Sequence, residues 1–252
     1  MALTLKNNKS PWLLYFEQLD STNNYAMQWI SDGMAQHGQV IVAEKQTMGR
    51  GQRDKHWENT DKDIKMSLLI QPKKDLDQIY VFSMLMALAL HHALEEILPK
   101  NNHIHIKWPN DIYINDKKAS GILIENVIRG NQWQWATVGI GVNISSKQDQ
   151  TAFSAIGLEE VMDLEPNTFV IIEKIRESVL NQLYIYQSFD AILKTYQEKL
   201  YRINTVQEFE VLETGAFLEA KIKGVNEKGE LILIDEQEQT TFWSHGSLRW
   251  IL

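Results

Sequence analysis

Short apolar runs and helical spacings alternate along the first part of the chain. Three runs of β-branched or alternating apolar residues predict strands, at residues 12–19, 39–45 and 65–71. Helical spacing predicts one helix after the capping-type residues 20–24 and a second, Met- and Leu-rich helix at 77–98. Residues 46–63 have no hydrophobic periodicity, and a connection of that length in a compact domain is typical of a functional loop.

The remainder of the chain divides into three regions by the same criteria. Residues 104–144 contain successive strand-like runs separated by turn-forming residues. Residues 168–200 keep apolar side chains at three-to-four spacing, and residues 204–252 return to short strands. We therefore predict an α+β fold. A mixed β-sheet with flanking helices is expected in residues 1–203, and a small β-barrel in residues 204–252.

Composition and charge narrow the classes of function. The 252 residues are 44% hydrophobic and 23% charged, which is ordinary for a globular protein. The absence of cysteine excludes disulfide frameworks, thiolate catalysis and cysteine-bound metals. A net charge of −8 argues against a general polyanion-binding protein, so a phosphate site would have to be a local basic feature. No apolar run approaches the roughly 20 residues that cross a bilayer, and we expect a soluble, cytoplasmic protein.

The long loop contains such a basic feature. Between residues 45 and 57, four basic side chains stand against one acidic side chain. Gly49 and Gly51 allow close backbone approach to an anion, and Arg50 and Arg53 offer bidentate donors to phosphate or carboxylate oxygens. The segment is neither a Walker A loop nor a dinucleotide fingerprint, because the required Gly-Lys-Ser/Thr and third glycine are missing. A solvated basic surface loop is the alternative interpretation.

A second candidate segment follows the apolar strand at residues 104–106. In Lys107-Trp108-Pro109-Asn110-Asp111, a proline and short polar side chains end the strand and turn the backbone. The bend would direct Lys107, Asn110 and Asp111 towards one cavity. The alternative interpretation is a simple strand-ending turn with an exposed lysine.

Two glycine-containing strands supply the remaining candidates. In residues 117–125, strand alternation places Lys118 and Gly121 on opposite faces, and the missing side chain of Gly121 would open space near Lys118. In residues 139–143, Gly-Ile-Gly-Val-Asn, two glycines would let a flat ligand approach the backbone while Asn143 contacts its polar edge. The alternative for residues 117–125 is a hairpin with solubilising lysines. The alternative for residues 139–143 is a β-bulge.

Taken together and in this order, these segments resemble the biotin–protein ligase family. The matching motifs are Leu19-Asp20-Ser21-Thr22-Asn23, Gln46-Thr47-x-Gly49-Arg50-Gly51, Lys107 through Asp111, Lys118-x-x-Gly121-Ile122-Leu123 and Gly139-x-Gly141-x-Asn143. The resemblance covers most of residues 14–145. It implies a class II synthetase-like catalytic domain at 1–203, and the tail, with its His245-Gly246-Ser247-Leu248-Arg249 motif, is similar to the family's SH3-like C-terminal domain.

The resemblance also implies a two-step reaction. The carboxylate of biotin attacks the α-phosphate of ATP, giving biotinyl-5′-AMP and pyrophosphate, with Mg²⁺ held mostly by phosphate oxygens and water. A lysine of the biotin carboxyl carrier domain of a biotin-dependent carboxylase then attacks the mixed anhydride and releases AMP. Because two anions must meet while charge grows on phosphate oxygens, fixed cations in a desolvated cleft are the main requirement.

By the same resemblance, each motif residue receives an expected role. The residues expected to act in catalysis are Lys118, Lys107, Asp111 and Arg50. Those expected to contact biotin are Ser21, Thr22, Asn23, Gln46, Gly49, Arg50, Lys118, Gly121, Leu123 and Gly139. Those expected to contact ATP or the adenylate are Arg50, Gly51, Gln52, Arg53, Trp57, Asn110, Lys118 and Asn143. The motifs assign no metal ligand.

Several alternatives stay open at this point. Lipoate–protein ligase and octanoyl transferase share the catalytic fold, and a non-catalytic scaffold that binds protein or nucleic acid is a more distant alternative.

Some relatives carry a DNA-binding domain ahead of the ligase domain. Here the Ser21-Thr22-Asn23 motif begins early, so we expect a ligase without that domain that binds neither DNA nor membranes. Relatives include monomers and dimers, so both states stay open here, and the sheet edge near residues 139–143 is the candidate interface for a homodimer.

One departure from the family pattern generates a prediction. Family members commonly have an arginine where this chain has Gln52, and that arginine helps to retain the adenylate. We expect the adjacent Arg53 to take its place, and the alternative is that the intermediate is held more loosely. Arg53→Ala should therefore release more free biotinyl-AMP than the parent protein when the reaction mixture is assayed by chromatography. Equal release by the two proteins would reject the replacement.

Overall fold

The computed structural model describes residues 10–49, 51, 61–73, 79–145, 155–185 and 188–251. Within this part of the chain, a seven-stranded sheet has the order β1-β2-β3-β7-β6-β5-β4. Its strands are β1 (Leu13–Leu19), β2 (Gln39–Gln46), β3 (Ile64–Ile70), β4 (Ile104–Lys107), β5 (Asp111–Ile114), β6 (Lys117–Arg129) and β7 (Gln132–Val142). The pair β1/β2 is parallel and the other neighbours are antiparallel, so the predicted mixed sheet is confirmed.

Four α-helices accompany this sheet within the described residues. They are α1 (Thr22–Ser31), α2 (Ile79–Ile97), α3 (Thr168–Ile185) and α4 (Phe189–Glu198). The first two agree with the helices predicted from apolar spacing. The single helical region expected at 168–200 is instead two helices, because the Ser188 hydroxyl accepts a hydrogen bond from the backbone N–H of Ala191 and caps a new N-terminus.

The two faces of the large sheet are covered unequally. Met66, Leu68 and Ile70 of β3 join the main core, which includes most of the apolar residues of α2. Alternate strand positions belong to a smaller core, where Leu69 and Ile41 pack with Ala26 and Ile30 of α1. Helix α1 is only 10 residues long and lies against β2, β3 and β7. It therefore covers part of its face and leaves the remainder of that face for other groups.

The C-terminal residues form a second, five-stranded antiparallel sheet. Its order is β11-β10-β9-β8-β12, with strands β8 (Val206–Val211), β9 (Phe217–Val225), β10 (Leu231–Ile234), β11 (Thr240–Trp243) and β12 (Leu248–Ile251). Its buried side chains are continuous with the main core, since the Trp250 ring lies 6.2 Å from Tyr201. The Trp108 indole N–H also donates to the Gly229 carbonyl at 3.0 Å. The small sheet therefore packs directly beside the 107–111 turn.

One sequence expectation is contradicted by this topology. Strand β7 has β3 on one side and β6 on the other, so residues 139–142 lie in the middle of the sheet and not at an edge. The expectation of a dimer interface at a sheet edge near 139–143 is therefore wrong. Among the described residues, none of the helices combines the length and apolar character that a membrane crossing requires.

Candidate active site

A cavity of about 370 Å³ lies at the part of the sheet that α1 leaves uncovered. Strands β3, β6 and β7 supply its floor, the N-terminal end of α1 forms one wall, and the 107–111 turn and the small sheet form another. Predicted site residues that line it are Ser21, Thr22, Asn23, Gln46, Gly51, Lys107, Asp111, Lys118, Gly121, Leu123 and Gly139. The structure thus gathers segments from both ends of the chain around one space.

Two glycines lie at the centre of the cavity floor. Directly paired residues form a row across four strands, Lys65 on β3, Gly141 on β7, Gly121 on β6 and Asp111 on β5. Paired residues in antiparallel strands point to the same face of a sheet. The row therefore consists of two glycines between a cation and a carboxylate. Glycine at these central positions lets a ligand approach the backbone.

A β-bulge places Lys118 on this same face. The pairing shifts within β6, where Ser120 faces Ile112 but Lys118 faces Tyr113, so one residue is extra. As a result, Ala119 and Ile122 both belong to the main core, while Lys118 and Gly121 both line the cavity. The prediction from strict alternation, which put Lys118 and Gly121 on opposite faces, is therefore wrong.

One end of the cavity is lined by hydroxyl and amide groups that form a hydrogen-bonded network. The Gln46 side-chain oxygen accepts from the backbone N–H of Thr22 at 2.7 Å and from its hydroxyl at 3.1 Å. The Ser67 hydroxyl lies 2.8 Å from the Thr22 hydroxyl oxygen and 2.6 Å from Asn23 Oδ1. The Asn23 amide in turn donates to Glu125 Oε2 at 2.8 Å. These contacts hold the start of α1 rigidly beside the glycine floor.

The other end of the cavity contains the charged groups. Lys118 Nζ lies 2.7 Å from Asp111 Oδ2, and each side chain is about one quarter exposed, at 28% and 27%. Lys107 is buried, with its Nζ 5.2 Å from the ring centres of Tyr113 and Trp250. Burial raises the pKa of Tyr113, so its phenol is neutral at ordinary pH. This end of the cavity therefore contains two lysines and one carboxylate. Of these groups, Lys107 lies against Trp250 of the small sheet.

The turn that supplies these charges is fixed from beneath. The Tyr196 hydroxyl of α4 donates to the Pro109 carbonyl at 2.6 Å, and the Asn110 amide donates to the Ile122 carbonyl at 2.9 Å. Burial raises the pKa of Tyr196, which keeps the hydroxyl proton available for donation. The Trp108–Pro109 peptide bond in this turn is cis, and the strands on either side of the turn, β4 and β5, pair antiparallel.

Not every predicted residue lines the cavity. Gly49, Asn110 and Asn143 lie outside its lining, and the Asn143 amide donates to the Lys118 carbonyl at 3.1 Å. Asn110 and Asn143 therefore bond to the strand that carries Lys118 and Gly121. Arg50, Gln52, Arg53 and Trp57 fall outside the described residues, and their expected roles stay predictions.

The structure adds cavity residues to which the sequence analysis assigned no site role. Lys65 is the one charged residue in the strand IKMSLLI, which is buried along its whole length. A single charge among apolar residues was the sequence signal that could have identified this residue. Ser67 follows two positions later on the same face. Residues of the small sheet, His245, Arg249 and Trp250, also line the cavity although they are more than 100 residues from the other walls. Local pattern alone could not place them there.

The comparisons with known proteins agree with this geometry. The sequence pattern of the biotin/lipoate A/B protein ligase family matches residues 15–143, about half of the chain. The chain therefore belongs to this family. The "Bifunctional ligase/repressor BirA" of Bacillus subtilis is 34% identical over 136 residues, which cover 54% of this chain and 41% of that protein. The "Biotin--[acetyl-CoA-carboxylase] ligase" of Paracoccus denitrificans is 34% identical over 133 residues, covering 53% and 55%.

A solved structure extends the likeness over the whole chain. The biotin protein ligase from Aquifex aeolicus in complex with biotin and ATP superimposes with a TM-score of 0.77 and covers 96% of this chain and 99% of that one. At 23% sequence identity, this likeness establishes the fold. The matched part of this chain spans about half the length of the curated relatives named above.

The contact between Asn23 and the glycine floor generates a prediction. A Cβ atom at Gly139 would lie 2.3 Å from Asn23 Oδ1, so Gly139→Ala should displace the amide and lower the free energy of unfolding by about 1–3 kcal/mol. Urea denaturation measures this loss. In an Asn23→Ala background the same substitution should cost less, because the clashing atoms are gone. An equal cost in both backgrounds would contradict the contact.

Proposed function

We propose that this chain attaches biotin to a lysine of a biotin carboxyl carrier domain through a biotinyl-5′-AMP intermediate. The observation that carries the proposal is the position of the Lys118–Asp111 pair at one end of a glycine floor, with the hydroxyl and amide groups of Thr22 and Gln46 at the other end. Biotin has the same asymmetry, an uncharged ureido group at one end and a carboxylate at the other. Membership of the biotin/lipoate ligase family supports the same assignment.

In the first step, a carboxylate oxygen of biotin attacks the α-phosphorus of ATP, and the bond to the pyrophosphate leaving group breaks. The ammonium of Lys118 is the group proposed to hold the carboxylate and the α-phosphate together, since it lies in the cavity and stays partly exposed. Negative charge grows on the phosphoryl oxygens in the transition state. A cation fixed at that position stabilises the transition state more than the separate reactants, and the barrier is therefore lower.

In the second step, the acceptor lysine amine attacks the acyl carbon, loses a proton and displaces AMP. Asp111 and Lys107 are proposed to serve the phosphates and the incoming amine, because both line the charged end of the cavity. Ser21, Thr22 and Gln46 are proposed for the ureido end, and Gly121, Leu123 and Gly139 for the floor beneath the ring.

Magnesium would enter with the nucleotide. Among the described residues, no group of three or more His, Cys, Asp or Glu side chains is placed to hold a metal ion. Asp111 is the carboxylate at the charged end of the cavity, and it is already paired with Lys118. This donor set fits an ion that is coordinated chiefly by phosphate oxygens and water, as Mg²⁺ prefers.

The organisation of the whole chain is part of the proposal. We assign residues 1–203 to the catalytic domain and residues 204–252 to an SH3-like barrel that closes the nucleotide end of the cavity. The lining contributed by Arg249 and Trp250 supports that placement. The proposed reaction takes place in the cytoplasm, on the carrier domain of a biotin-dependent carboxylase.

The test is direct detection of the acyl-adenylate. The purified chain is incubated with ATP, Mg²⁺ and either biotin or lipoate, and the products are analysed by mass spectrometry. We expect the biotin adenylate and little lipoate adenylate. A lipoate adenylate alone would assign the chain to the other branch of the family, and no adenylate from either acid would contradict both functions.

The role of Lys118 is tested with a matched pair of variants. Lys118→Ala should slow adenylate formation by about 100-fold or more, in the range seen when one fixed electrostatic donor is removed from a catalytic site. Lys117→Ala removes the adjacent, exposed lysine and should leave the rate unchanged. Circular dichroism confirms that both variants are folded. A Lys118→Ala rate close to that of the parent would remove Lys118 from catalysis.

A further inference from the structure

The hydrogen-bond network at the start of α1 has a fixed direction, and Glu125 is the residue from which that direction follows. The Asn23 amide faces two acceptors, Glu125 Oε2 at 2.8 Å and the Leu123 carbonyl at 3.4 Å. Because a carboxylate and a backbone carbonyl accept hydrogen bonds, the NH2 group of Asn23 lies on this side. The side-chain oxygen of Asn23 therefore faces Ser67 on β3, at 2.6 Å.

Two hydroxyl protons serve three oxygen–oxygen contacts in the rest of this network. Ser67 Oγ contacts Asn23 Oδ1 at 2.6 Å and Thr22 Oγ1 at 2.8 Å. Thr22 Oγ1 also contacts Gln46 Oε1 at 3.1 Å, and that oxygen accepts from the Thr22 backbone N–H. Amide oxygens carry no proton, so Ser67 donates to Asn23. The one proton of the Thr22 hydroxyl is then shared by Gln46 and Ser67.

This direction makes the Thr22 hydroxyl oxygen an acceptor towards the cavity. Its own proton is used inside the network, and the Ser67 proton lies on the Asn23 side. Thr22 is buried and lines the cavity. A ligand group that contacts this oxygen must therefore bring an N–H or O–H group. A ring without such a donor would leave the oxygen without a hydrogen bond, which costs free energy at a buried site.

We propose that Glu125 is a positioning residue that sets the acid specificity of the cavity. Acting through Asn23 and Ser67, it keeps the Thr22 hydroxyl an acceptor and thereby favours an acid whose ring carries N–H groups, such as a cyclic urea. The dithiolane ring of lipoate and the chain of octanoate have no such donor. The inference rests on the proposed function and assigns part of its selectivity to a carboxylate that lies outside the cavity lining.

Loss of the Glu125 carboxylate would allow the Asn23 amide to turn over. Its NH2 group would then donate to Ser67, Ser67 would donate to Thr22, and Thr22 would donate to Gln46. Each of the three contacts would have its own proton, and the Thr22 oxygen would already accept one hydrogen bond. The Leu123 carbonyl opposes this rotation weakly, because its contact with the amide is long, at 3.4 Å. An N–H group of the ligand would therefore contribute less to binding.

The test compares three variants by titration calorimetry. Glu125→Met removes the acceptor and keeps a side chain of similar length, and Glu125→Gln keeps an acceptor oxygen. Glu17→Met removes an exposed carboxylate of β1 that lies outside the cavity. The ligands are biotin and its cyclic carbonate, in which ring oxygens replace both N–H groups. Thermal melting checks that each variant is folded, and Glu125→Leu replaces Glu125→Met if the latter is not.

We expect the parent protein to bind biotin more tightly than the carbonate. Glu125→Met should weaken biotin binding by about 3- to 10-fold, the range for loss of one neutral hydrogen bond, and should leave carbonate binding nearly unchanged. Glu125→Gln should retain most of the preference for biotin, because its side-chain oxygen can accept from Asn23. Glu17→Met should match the parent.

Three results would overturn the inference. A parent protein that binds the carbonate as tightly as biotin would show that the cavity does not select N–H groups. An equal loss for both ligands in Glu125→Met would show that Glu125 acts through packing. An equal loss of biotin binding in Glu125→Gln and Glu125→Met would show that the acceptor oxygen is not the cause. A parent protein that binds biotin but forms no acyl-adenylate would refute the proposed function alone, because the binding comparison still tests Glu125.

Discussion

The site depends on a mismatch between the length of α1 and the width of the sheet beneath it. One face of the sheet is closed by the apolar residues of α2 and α3, whereas α1, with 10 residues, covers only part of the other face. Uncovered sheet normally exposes apolar side chains to water. Here the uncovered positions include Gly121 and Gly141, so the sheet presents backbone and a cavity forms in place of a hydrophobic patch.

The remaining features of the site follow from that floor. Because the glycines have no side chains, the start of α1 can lie close to β7, and the Asn23 amide occupies the space that a Cβ atom at Gly139 would need. The bonds from Asn23 to Ser67 and Glu125 then anchor the start of α1. On the opposite side, the bulge in β6 rotates Lys118 onto the floor, where it reaches Asp111. Backbone geometry thus separates the hydroxyl and amide groups of Thr22 and Gln46 from the Lys118–Asp111 pair.

Much of the fold could be predicted from the sequence, and the reasons for the failures are physical. Strands β1 to β3 and helix α2 have clear periodicity, and their predicted positions agree with the structure to within a few residues. The break between α3 and α4 was missed because the apolar spacing continues across it, and one serine cap decides the boundary. The face of Lys118 was wrong because a bulge shifts alternation by one residue, which no local pattern in residues 117–125 reveals.

The candidate site, like the fold, could be predicted only in part from the sequence. Motif residues could be predicted to converge, and the structure brings Thr22, Gln46, Lys107, Asp111 and Lys118 to one cavity. Lys65 received no role from the motifs, because a lysine in a strand is usually a solvent-facing residue of an exposed face. Its apolar neighbours in β3 were the signal for burial, but its place in the cavity lining is a tertiary property. The same holds for Arg249 and Trp250, which reach the cavity only through the packing of the second sheet.

The most direct measurement is a crystal structure of the chain with biotin and a non-hydrolysable ATP analogue. The account predicts that the ring system of biotin lies over Gly121, Gly139 and Gly141, with its ureido group beside Thr22 and Gln46 and its carboxylate within hydrogen-bonding distance of Lys118. Density for both ligands at another surface, with the glycine floor empty and Lys118 bonded to Asp111 alone, would contradict it.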